Sequence, residues 1–210
     1  MGTVPLEGLS VYAHFCGQIG MEKTFLFRFF SASEDAFVAK KTRFLVYGGV
    51  LAALYVVLTY LQNWIWPGSA TMAVQFRFSE ALCVFACLTP AAIPGLAVGC
   101  LIFNLSWAQA LPLDWLVGTA ATLGAGVCMW LLRKVRIKKL PIVALLMPAV
   151  WNAPLVGLEL TLYLSEVGFT WPVLGWNMLT VFVGEAAVVC VLGSILYTAL
   201  CARRMEKLFR

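Results

Sequence analysis

The chain has 210 residues, of which 62% are hydrophobic and 12% are charged. A soluble domain is about 45–50% apolar and about 25% charged, so this composition excludes a soluble globular protein and indicates an integral membrane protein. The net charge of +5 does not indicate nucleic-acid binding, because basic residues in a membrane protein first report its orientation.

Cysteine and histidine usage argues against a metal site and against a catalytic triad. The seven cysteines form no CxxC pair, and most lie in apolar runs, which is typical of small buried hydrophobic residues. His14 is the only histidine and lies in a peripheral segment. A histidine-based metal site or a Ser/His/Asp triad would have to include it, so we predict no catalytic residue, no metal and no cofactor.

Residues 1–42 are predicted to form an N-terminal tail. A cleaved signal peptide is a poor fit, because no basic region precedes an apolar core, and Met21 resembles an alternative translation start. Phenylalanines are interspersed with charges over 25–38, and Ser33 followed by two acidic residues predicts a helix start. This segment is either an interfacial helix on the inner leaflet or a poorly ordered tail.

Six membrane-spanning helices are predicted within 43–203, because spans of about 20 residues leave room for roughly six helices and their loops. The predicted spans are 44–62, 76–88, 93–107, 113–132, 142–164 and 176–200. The second and third are short, since an α-helix of their length rises only about 20–23 Å against a hydrocarbon core of about 30 Å. Residues 204–210 are predicted to be a cytoplasmic tail.

The first span carries two pairs of small residues four positions apart, Gly48/Ala52 and Gly49/Ala53. Such pairs allow another helix to approach closely in lipid. We predict that these four residues form part of a docking face for a partner subunit. The alternative is ordinary packing within the same chain.

The connection that follows, 63–74, contains Trp64, Trp66, Pro67 and Gly68. Proline and glycine make it rich in turns. The two tryptophans fit an aromatic belt at the membrane surface, and they would equally fit a lid that stacks on a flat ligand.

The basic residues predict the orientation. Six spans bring the N-terminus, the turn at 89–94, the loop at 133–140 and the C-terminus to one side, which then holds fourteen of the fifteen basic residues. The positive-inside rule makes that side the cytoplasm. The exception is Arg77, which lies near the outer surface at the start of the second span.

We single out seven polar residues within the predicted spans, where a charged side chain costs about 2.5–3.5 kcal/mol on insertion scales. They are Arg77, Glu80, Asn104, Asn152, Glu159, Asn177 and Glu185. Most lie toward the outer half, whereas an ion path would need ionisable groups through the full depth. The pattern favours a cup open to the outside; the alternative is that Arg77 pairs with Glu80 or Glu159 and locks helices together.

Over residues 44–200 the sequence resembles the QueT family. Three segments of 75–104 carry most of the resemblance: Gln75-Phe-Arg-Phe-Ser-Glu-Ala-Leu82, Leu88-Thr-Pro-Ala-Ala-Ile-Pro-Gly-Leu96 and Gly99-Cys-Leu-Ile-Phe-Asn104. Later matches are Trp151-Asn-Ala153, Val156-Gly-Leu-Glu159, and Asn177 through Gly184-Glu185.

QueT-like proteins are regarded as substrate-binding S components of energy-coupling factor (ECF) transporters. The resemblance implies a six-helix S component of the plasma membrane, with both termini cytoplasmic, that captures a queuosine precursor, an aminomethyl or cyano deazaguanine. It also implies a membrane coupling subunit and two cytoplasmic ATPase subunits as partners. The chain contains no GxxxxGK[ST] motif, so we predict no ATP site of this kind and no enzyme.

The chemistry of a deazaguanine suits the polar residues that the resemblance includes. A carboxylate accepts hydrogen bonds from an N–H/NH2 edge, and an asparagine pairs with ring nitrogens or carbonyls. We predict that Glu80 and Glu159 contact the ligand and that Arg77 positions a carboxylate or a carbonyl group. The further substrate-binding candidates are Glu185, Asn104, Asn152, Asn177, Trp64 and Trp66.

Other functions stay open at this point. An S component of the same fold could bind another small vitamin-like compound. A structural membrane protein could use the charges as helix locks. An intramembrane enzyme fits less well, because the sequence has no HExxH motif and spreads its carboxylates over separate helices.

Overall fold

The computed structural model describes residues 23–67, 69, 76–108, 110–163, 165 and 168–202, with side chains from residue 38 onward. The predicted alternative start at Met21 and the predicted tail 204–210 lie outside the described residues. The chain divides into two units, Met1–Arg43 and Phe44–Arg210. The described residues are helical apart from turns, connections and one isolated bridge between Ile137 and Leu140, which confirms the all-α prediction.

Seven α-helices, one 3-10 helix and one π-helical segment make up the described structure. In chain order they are α1 (Lys23–Ile65), the 3-10 helix (Phe78–Cys87), α2 (Ala92–Ser106), α3 (Asp114–Leu132), α4 (Ile142–Leu145), α5 (Met147–Tyr163), α6 (Trp171–Val188), the π segment (Val189–Gly193) and α7 (Ser194–Ala202). The predicted helix start at Ser33 is wrong, because α1 begins at Lys23 and Ser33 lies inside it.

Four stretches of the described residues are long and apolar enough to cross a membrane: Val38–Ile65, Asp114–Leu132, Ile142–Tyr163 and Trp171–Ala202. They coincide with the predicted first, fourth, fifth and sixth spans. Two shorter apolar helices, Phe78–Cys87 and Ala92–Ser106, occupy the predicted second and third spans. Since both are shorter than a full crossing, the count of six spans and the position of the termini stay predictions.

The second predicted span forms a 3-10 helix rather than an α-helix. Gln62 of α1 sets its start, because Gln62 Oε1 accepts the Phe78 N–H (2.7 Å) while Gln62 Nε2 donates to the Phe76 carbonyl. Arg77 between them is extended, with φ −78° and ψ 99°. Ten residues at about 2.0 Å each rise roughly 20 Å, and side chains three positions apart eclipse one another. Glu80 and Cys83 therefore lie in one row on this helix.

The two small-residue pairs of α1 have different surroundings. Gly48 and Ala52 pack against α2, because a Cβ added to Gly95 would lie 2.5 Å from the Gly48 carbonyl oxygen and one added to Gly99 would lie 2.8 Å from the Ala52 carbonyl oxygen. Gly49 is exposed, and a Cβ added there would have no atom within 4 Å. Ala53 is exposed as well. The alternative of internal packing therefore applies to Gly48 and Ala52 and not to the other pair.

Several of the other helices pack against the 3-10 helix. It contacts α2, α3, α6, α7 and the π segment, while α3 packs against α2 and α5, and α5 packs against α6. Eight of its residues are buried, among them Ser79 and Glu80. In contrast, large apolar side chains such as Leu54 and Val57 are exposed on α1. Polar groups inside and apolar groups outside are what a lipid environment favours.

Candidate ligand-binding site

Five ionisable side chains are buried in the interior of the helices and interact electrostatically, and we call them the carboxylate cluster. They are Arg77, Glu80, Asp114, Glu159 and Glu185, each at most 4% exposed. Arg77 interacts electrostatically with Asp114 and Glu185, Glu185 with Glu80, and Glu159 with Asp114 and Arg77. The cluster thus joins the 3-10 helix to α3, α5 and α6.

Asp114 is a member that the sequence did not single out. Its Oδ1 lies 3.8 Å from Arg77 Nη2, and its carbonyl accepts a hydrogen bond of 2.8 Å from Asn104 Nδ2. The ion pair that the structure describes for Arg77 is therefore with Asp114. Asp114 is the first residue of α3, where the helix dipole alone ordinarily explains a carboxylate, so its position was only a weak sign of a site residue.

Glu80 is held by neutral donors. Its Oε1 accepts a hydrogen bond of 2.7 Å from Tyr55 Oη, and its Oε2 accepts one of 3.1 Å from Cys83 Sγ. A neighbouring bond of 2.8 Å from Thr59 Oγ1 to Ser79 Oγ further ties α1 to the 3-10 helix. Tyr55 and Thr59 lie four positions apart on α1, and this spacing was the signal that could have identified them.

Glu159, Glu185 and the two asparagines contain buried oxygens with unused capacity to accept hydrogen bonds. Asn152 Nδ2 donates to Glu185 Oε2 at 2.6 Å. Both Glu159 carboxylate oxygens, Glu185 Oε1, Asn152 Oδ1 and Asn104 Oδ1 are buried and accept no hydrogen bond of ordinary geometry, although the Leu113 backbone and the Asp114 side chain lie close enough to interact with Glu159. Buried polar atoms ordinarily have a partner, and one left without it costs about 1–3 kcal/mol. These five atoms are all acceptors, so a molecule rich in N–H donors is what would satisfy them.

The other predicted site residues have different neighbours. Asn177 is half-buried and donates to Thr161 Oγ1 at 3.0 Å, which connects α6 to α5. Trp66 is 58% exposed and stacks on Phe76, with ring centroids 6.1 Å apart. Trp64 is 84% exposed and lines a cavity of about 340 Å³ with Tyr60, Asn63, Pro67 and Trp107.

The cup open to the outside stays a prediction. No cluster residue lines the cavity beside Trp64 or another of about 450 Å³ along α7. The cluster residues are instead enclosed by the helices that carry them. In the described part of the chain, moreover, no three His, Cys, Asp or Glu side chains are arranged to hold a metal ion.

Comparison with known proteins assigns the family. The model of the QueT transporter family matches residues 45–202. The chain belongs to the QueT transporter family. This confirms the resemblance seen in the sequence, and together with the long apolar helices it makes the chain a multi-pass protein of the plasma membrane. Comparisons with curated proteins and with solved structures found no significant match.

Family membership defines the kind of protein to which the cluster belongs. The matched range contains every residue of the cluster together with Tyr55, Asn104 and Asn152. As a QueT family member, the chain is an S component of a membrane transporter. A buried group of acceptors in such a protein is a candidate binding site for the transported molecule.

Proposed function

We propose that this chain is the substrate-binding subunit of an ECF-type importer and that its ligand is a queuosine precursor of the deazaguanine class. The observation that carries the proposal is the group of five buried acceptor oxygens without donors. A deazaguanine offers a ring N–H beside an exocyclic NH2, and charge-assisted hydrogen bonds from such an edge to a carboxylate are among the stronger ones.

Glu159 is the carboxylate best suited to this edge. Neither of its oxygens accepts a hydrogen bond of ordinary geometry, so it can accept two parallel hydrogen bonds, whereas Glu80 already accepts hydrogen bonds from Tyr55 and Cys83. Asn104 supplies a further acceptor, and its side chain is fixed by its bond to the Asp114 carbonyl. Arg77 then acts as the positioning group that we predicted, because its guanidinium holds Asp114 beside Glu159.

Ligand capture on this proposal requires the helices to part on the outer side. The cluster is closed, and the oxygens that lack donors destabilise that closed state. A bound ligand would supply the missing donors, so closure around it is favoured over closure without it. The pocket open to the outside, as predicted from the sequence, would then belong to the state that receives the ligand.

Isothermal titration of the detergent-purified protein with a deazaguanine tests the proposal. Glu159→Gln should weaken binding roughly 10- to 100-fold, since a hydrogen bond to a charged group is worth about 1.5–3 kcal/mol. Glu80→Gln should weaken it less, because neutral donors already occupy that carboxylate. Trp64→Ala tests the predicted lid: weaker binding of the ligand would support stacking by Trp64, and unchanged binding would argue against it. Unchanged affinity in both glutamate variants would remove the cluster from the site.

The partners proposed for the chain are a membrane coupling subunit and two cytoplasmic ATPase subunits, with no role for nucleic acid. Gly49 and Ala53 are the half of the predicted docking face that remains exposed, and small residues let a second helix approach closely in lipid. Gly49→Leu and Ala53→Leu should reduce co-purification with the coupling subunit and leave ligand binding intact.

The inward-packed pair provides the matched control for that experiment. Gly48→Leu and Ala52→Leu should unfold the protein or abolish ligand binding, because these residues contact α2. If Gly49→Leu also abolished ligand binding, the exposed pair would have a role in internal packing and the docking face would lie elsewhere.

A structural protein with helix locks is the rival function, and the Arg77–Asp114 pair suits it. The oxygens of Glu159 do not suit a structural role, because a helix lock would give them hydrogen-bond or ion-pair partners. An S component for another vitamin-like molecule would keep the same cluster. Titration distinguishes the three: no saturable binding favours the structural protein, and binding of a different small molecule in preference to deazaguanines favours the second S component.

A further inference from the structure

The loop at 133–140 is held at the membrane surface by the two apolar stretches that flank it. α3 ends at Leu132, and the next stretch able to cross a membrane begins at Ile142. The nine residues between them span at most about 30 Å when fully extended, so the loop cannot extend far from the surface to which it returns. The loop contains five basic residues and no acidic one, and it therefore brings a dense positive charge to the lipid headgroups.

The five basic side chains have no carboxylate to neutralise them. They are Arg133, Lys134, Arg136, Lys138 and Lys139, all exposed except Arg133, which is half-buried. Among the described residues, none of the five forms an ion pair with an acid. Arg133 lies over the ring of Trp130 instead, with Cζ 3.5 Å from the ring centroid. Like charges gathered on one short loop repel one another and attract an anionic partner.

Two of the lysines occupy backbone positions that lysine disfavours. Ile137 and Leu140 exchange both of their backbone hydrogen bonds, at 2.8 Å and 3.0 Å, which makes Lys138 and Lys139 the central residues of a two-residue turn. Both have positive φ angles, 49° and 73°, as in a type I′ turn, where Asn-Gly is the preferred sequence. A side chain with a Cβ is strained in this region, and such strain tends to occur at functional sites.

Apolar side chains alternate with the basic ones along the same loop. Val135 and Ile137 are 47% and 48% exposed, and Leu131 in the last turn of α3 is 69% exposed. A free anion in water would neutralise the cations and leave these apolar groups in water. A bilayer surface accommodates both kinds of side chain, because its phosphates lie directly above the boundary of the acyl chains. The composition of the loop thus favours a lipid over a soluble anion.

We propose that the loop at 133–140 is a binding site for the phosphate headgroup of an anionic phospholipid. The turn presents Lys138 and Lys139 to the phosphate, and the guanidinium of Arg136 can bind a phosphate through two parallel hydrogen bonds. Basic clusters that directly follow a membrane span are the sites at which anionic headgroups bind. Stacking on Trp130 fixes Arg133 beside the turn.

Native mass spectrometry and thermal unfolding of the full-length, detergent-purified protein test the site with two added lipids of identical acyl chains. Phosphatidylglycerol should bind roughly 10-fold or more tightly than phosphatidylcholine and should raise the melting temperature, and salt should weaken both effects. Inorganic phosphate at the same concentration should leave the melting temperature unchanged. Equal binding of the two lipids would overturn the proposal, and so would an inorganic phosphate effect as large as that of phosphatidylglycerol.

The double variant Lys138→Asn/Lys139→Gly separates the charge of the turn from its geometry. It supplies the sequence that a type I′ turn prefers, so in phosphatidylcholine it should unfold at or above the wild-type temperature. Its affinity for phosphatidylglycerol should fall roughly 10- to 30-fold, since each basic residue near an anionic surface strengthens binding about fivefold.

The variant Lys40→Gln/Lys41→Gln is the matched control, because it removes the same charge from α1. It should keep most of the wild-type affinity for phosphatidylglycerol. An equal loss in this variant would attribute lipid binding to net charge rather than to the loop. Wild-type affinity in Lys138→Asn/Lys139→Gly would show that the two lysines do not contact the lipid, and either result would overturn the proposed site.

Discussion

At the scale of single residues, two kinds of buried carboxylate are distinguished by their hydrogen bonds. Glu80 accepts hydrogen bonds from the Tyr55 hydroxyl and the Cys83 thiol, so both of its oxygens have donors within the chain. Glu159 is only 2% exposed and accepts no hydrogen bond of ordinary geometry, with the Leu113 backbone and the Asp114 side chain as its nearest interacting groups. The first kind stabilises the fold, and the second kind costs stability that a ligand can restore. On the proposed function, Glu80 contributes mainly to the shape of the site, and Glu159 to recognition of the ligand.

The contribution of the Tyr55 hydroxyl to stability can be measured directly. Tyr55→Phe would leave Glu80 Oε1 without its 2.7 Å hydrogen bond inside the protein, and we expect it to lower the free energy of unfolding by about 1.5–3 kcal/mol. Tyr60→Phe removes a 2.8 Å bond to Ser106 Oγ at an exposed position and should cost less than about 1 kcal/mol. Thermal unfolding in detergent compares them. Equal effects would mean that Glu80 is satisfied without Tyr55.

At the scale of elements, the sequence pattern predicted the position of the 3-10 helix and not its hydrogen-bond register. Its apolar residues and the polar Arg77 and Glu80 were enough to predict a short buried helix over 76–88. They could not predict its hydrogen-bond register, because the group that sets the register, Gln62, lies 16 residues earlier than Phe78. The small residues of α1 had the same ambiguity, since a GxxxA pattern does not reveal which partner it faces.

The contact between α1 and α2 should tolerate no side chain larger than hydrogen at two glycines of α2. In Gly95→Ala the new Cβ would lie 2.5 Å from the Gly48 carbonyl oxygen, and in Gly99→Ala it would lie 2.8 Å from the Ala52 carbonyl oxygen. Backbone atoms cannot move aside as a flexible side chain can, so we expect losses of about 1–3 kcal/mol or more.

Gly49→Ala is the matched control for these two variants, because its Cβ would meet nothing within 4 Å. It should unfold at or above the wild-type temperature, since alanine favours a helix more than glycine does. If Gly95→Ala and Gly99→Ala instead unfolded in detergent at the wild-type temperature, α1 and α2 would be able to separate at no cost. The close contact between these helices would then not contribute to stability.

At the scale of the whole molecule, the sequence predicted the class of protein well and the site only in part. High apolar content and clustered polar residues gave an all-α membrane protein, and most of the residues named in advance are buried near one another. Asp114 and Tyr55 were missed because one resembles an ordinary helix start and the other carries no charge. Trp64 and Trp66 were included only because their rings could stack on a flat ligand. The local sequence does not predict whether such side chains are buried, and burial decides whether they reach the cluster.

Orientation is the property of the whole molecule that remains a prediction, and trypsin can test it without any substitution. Trypsin cleaves after lysine and arginine, and the described basic side chains lie outside the buried interior except for Arg77. Lys138 and Lys139 are exposed in a turn with positive φ angles of 49° and 73°. The loop at 133–140 is therefore an accessible cleavage site from whichever side it faces.

If the positive-inside rule applies, trypsin added to spheroplasts should leave the chain intact. Added to inverted membrane vesicles, it should cut the loop at 133–140 and yield two fragments that are resolved on a gel. Cleavage in detergent is the control that trypsin can cut the loop. A membrane protein with a loop known to be cytoplasmic, in the same membranes, is the control that the spheroplasts are sealed and the vesicles inverted. Cleavage at 133–140 in sealed spheroplasts would reverse the orientation and place the Arg77 end of the helices toward the cytoplasm, where a precursor arriving from outside could not reach it first.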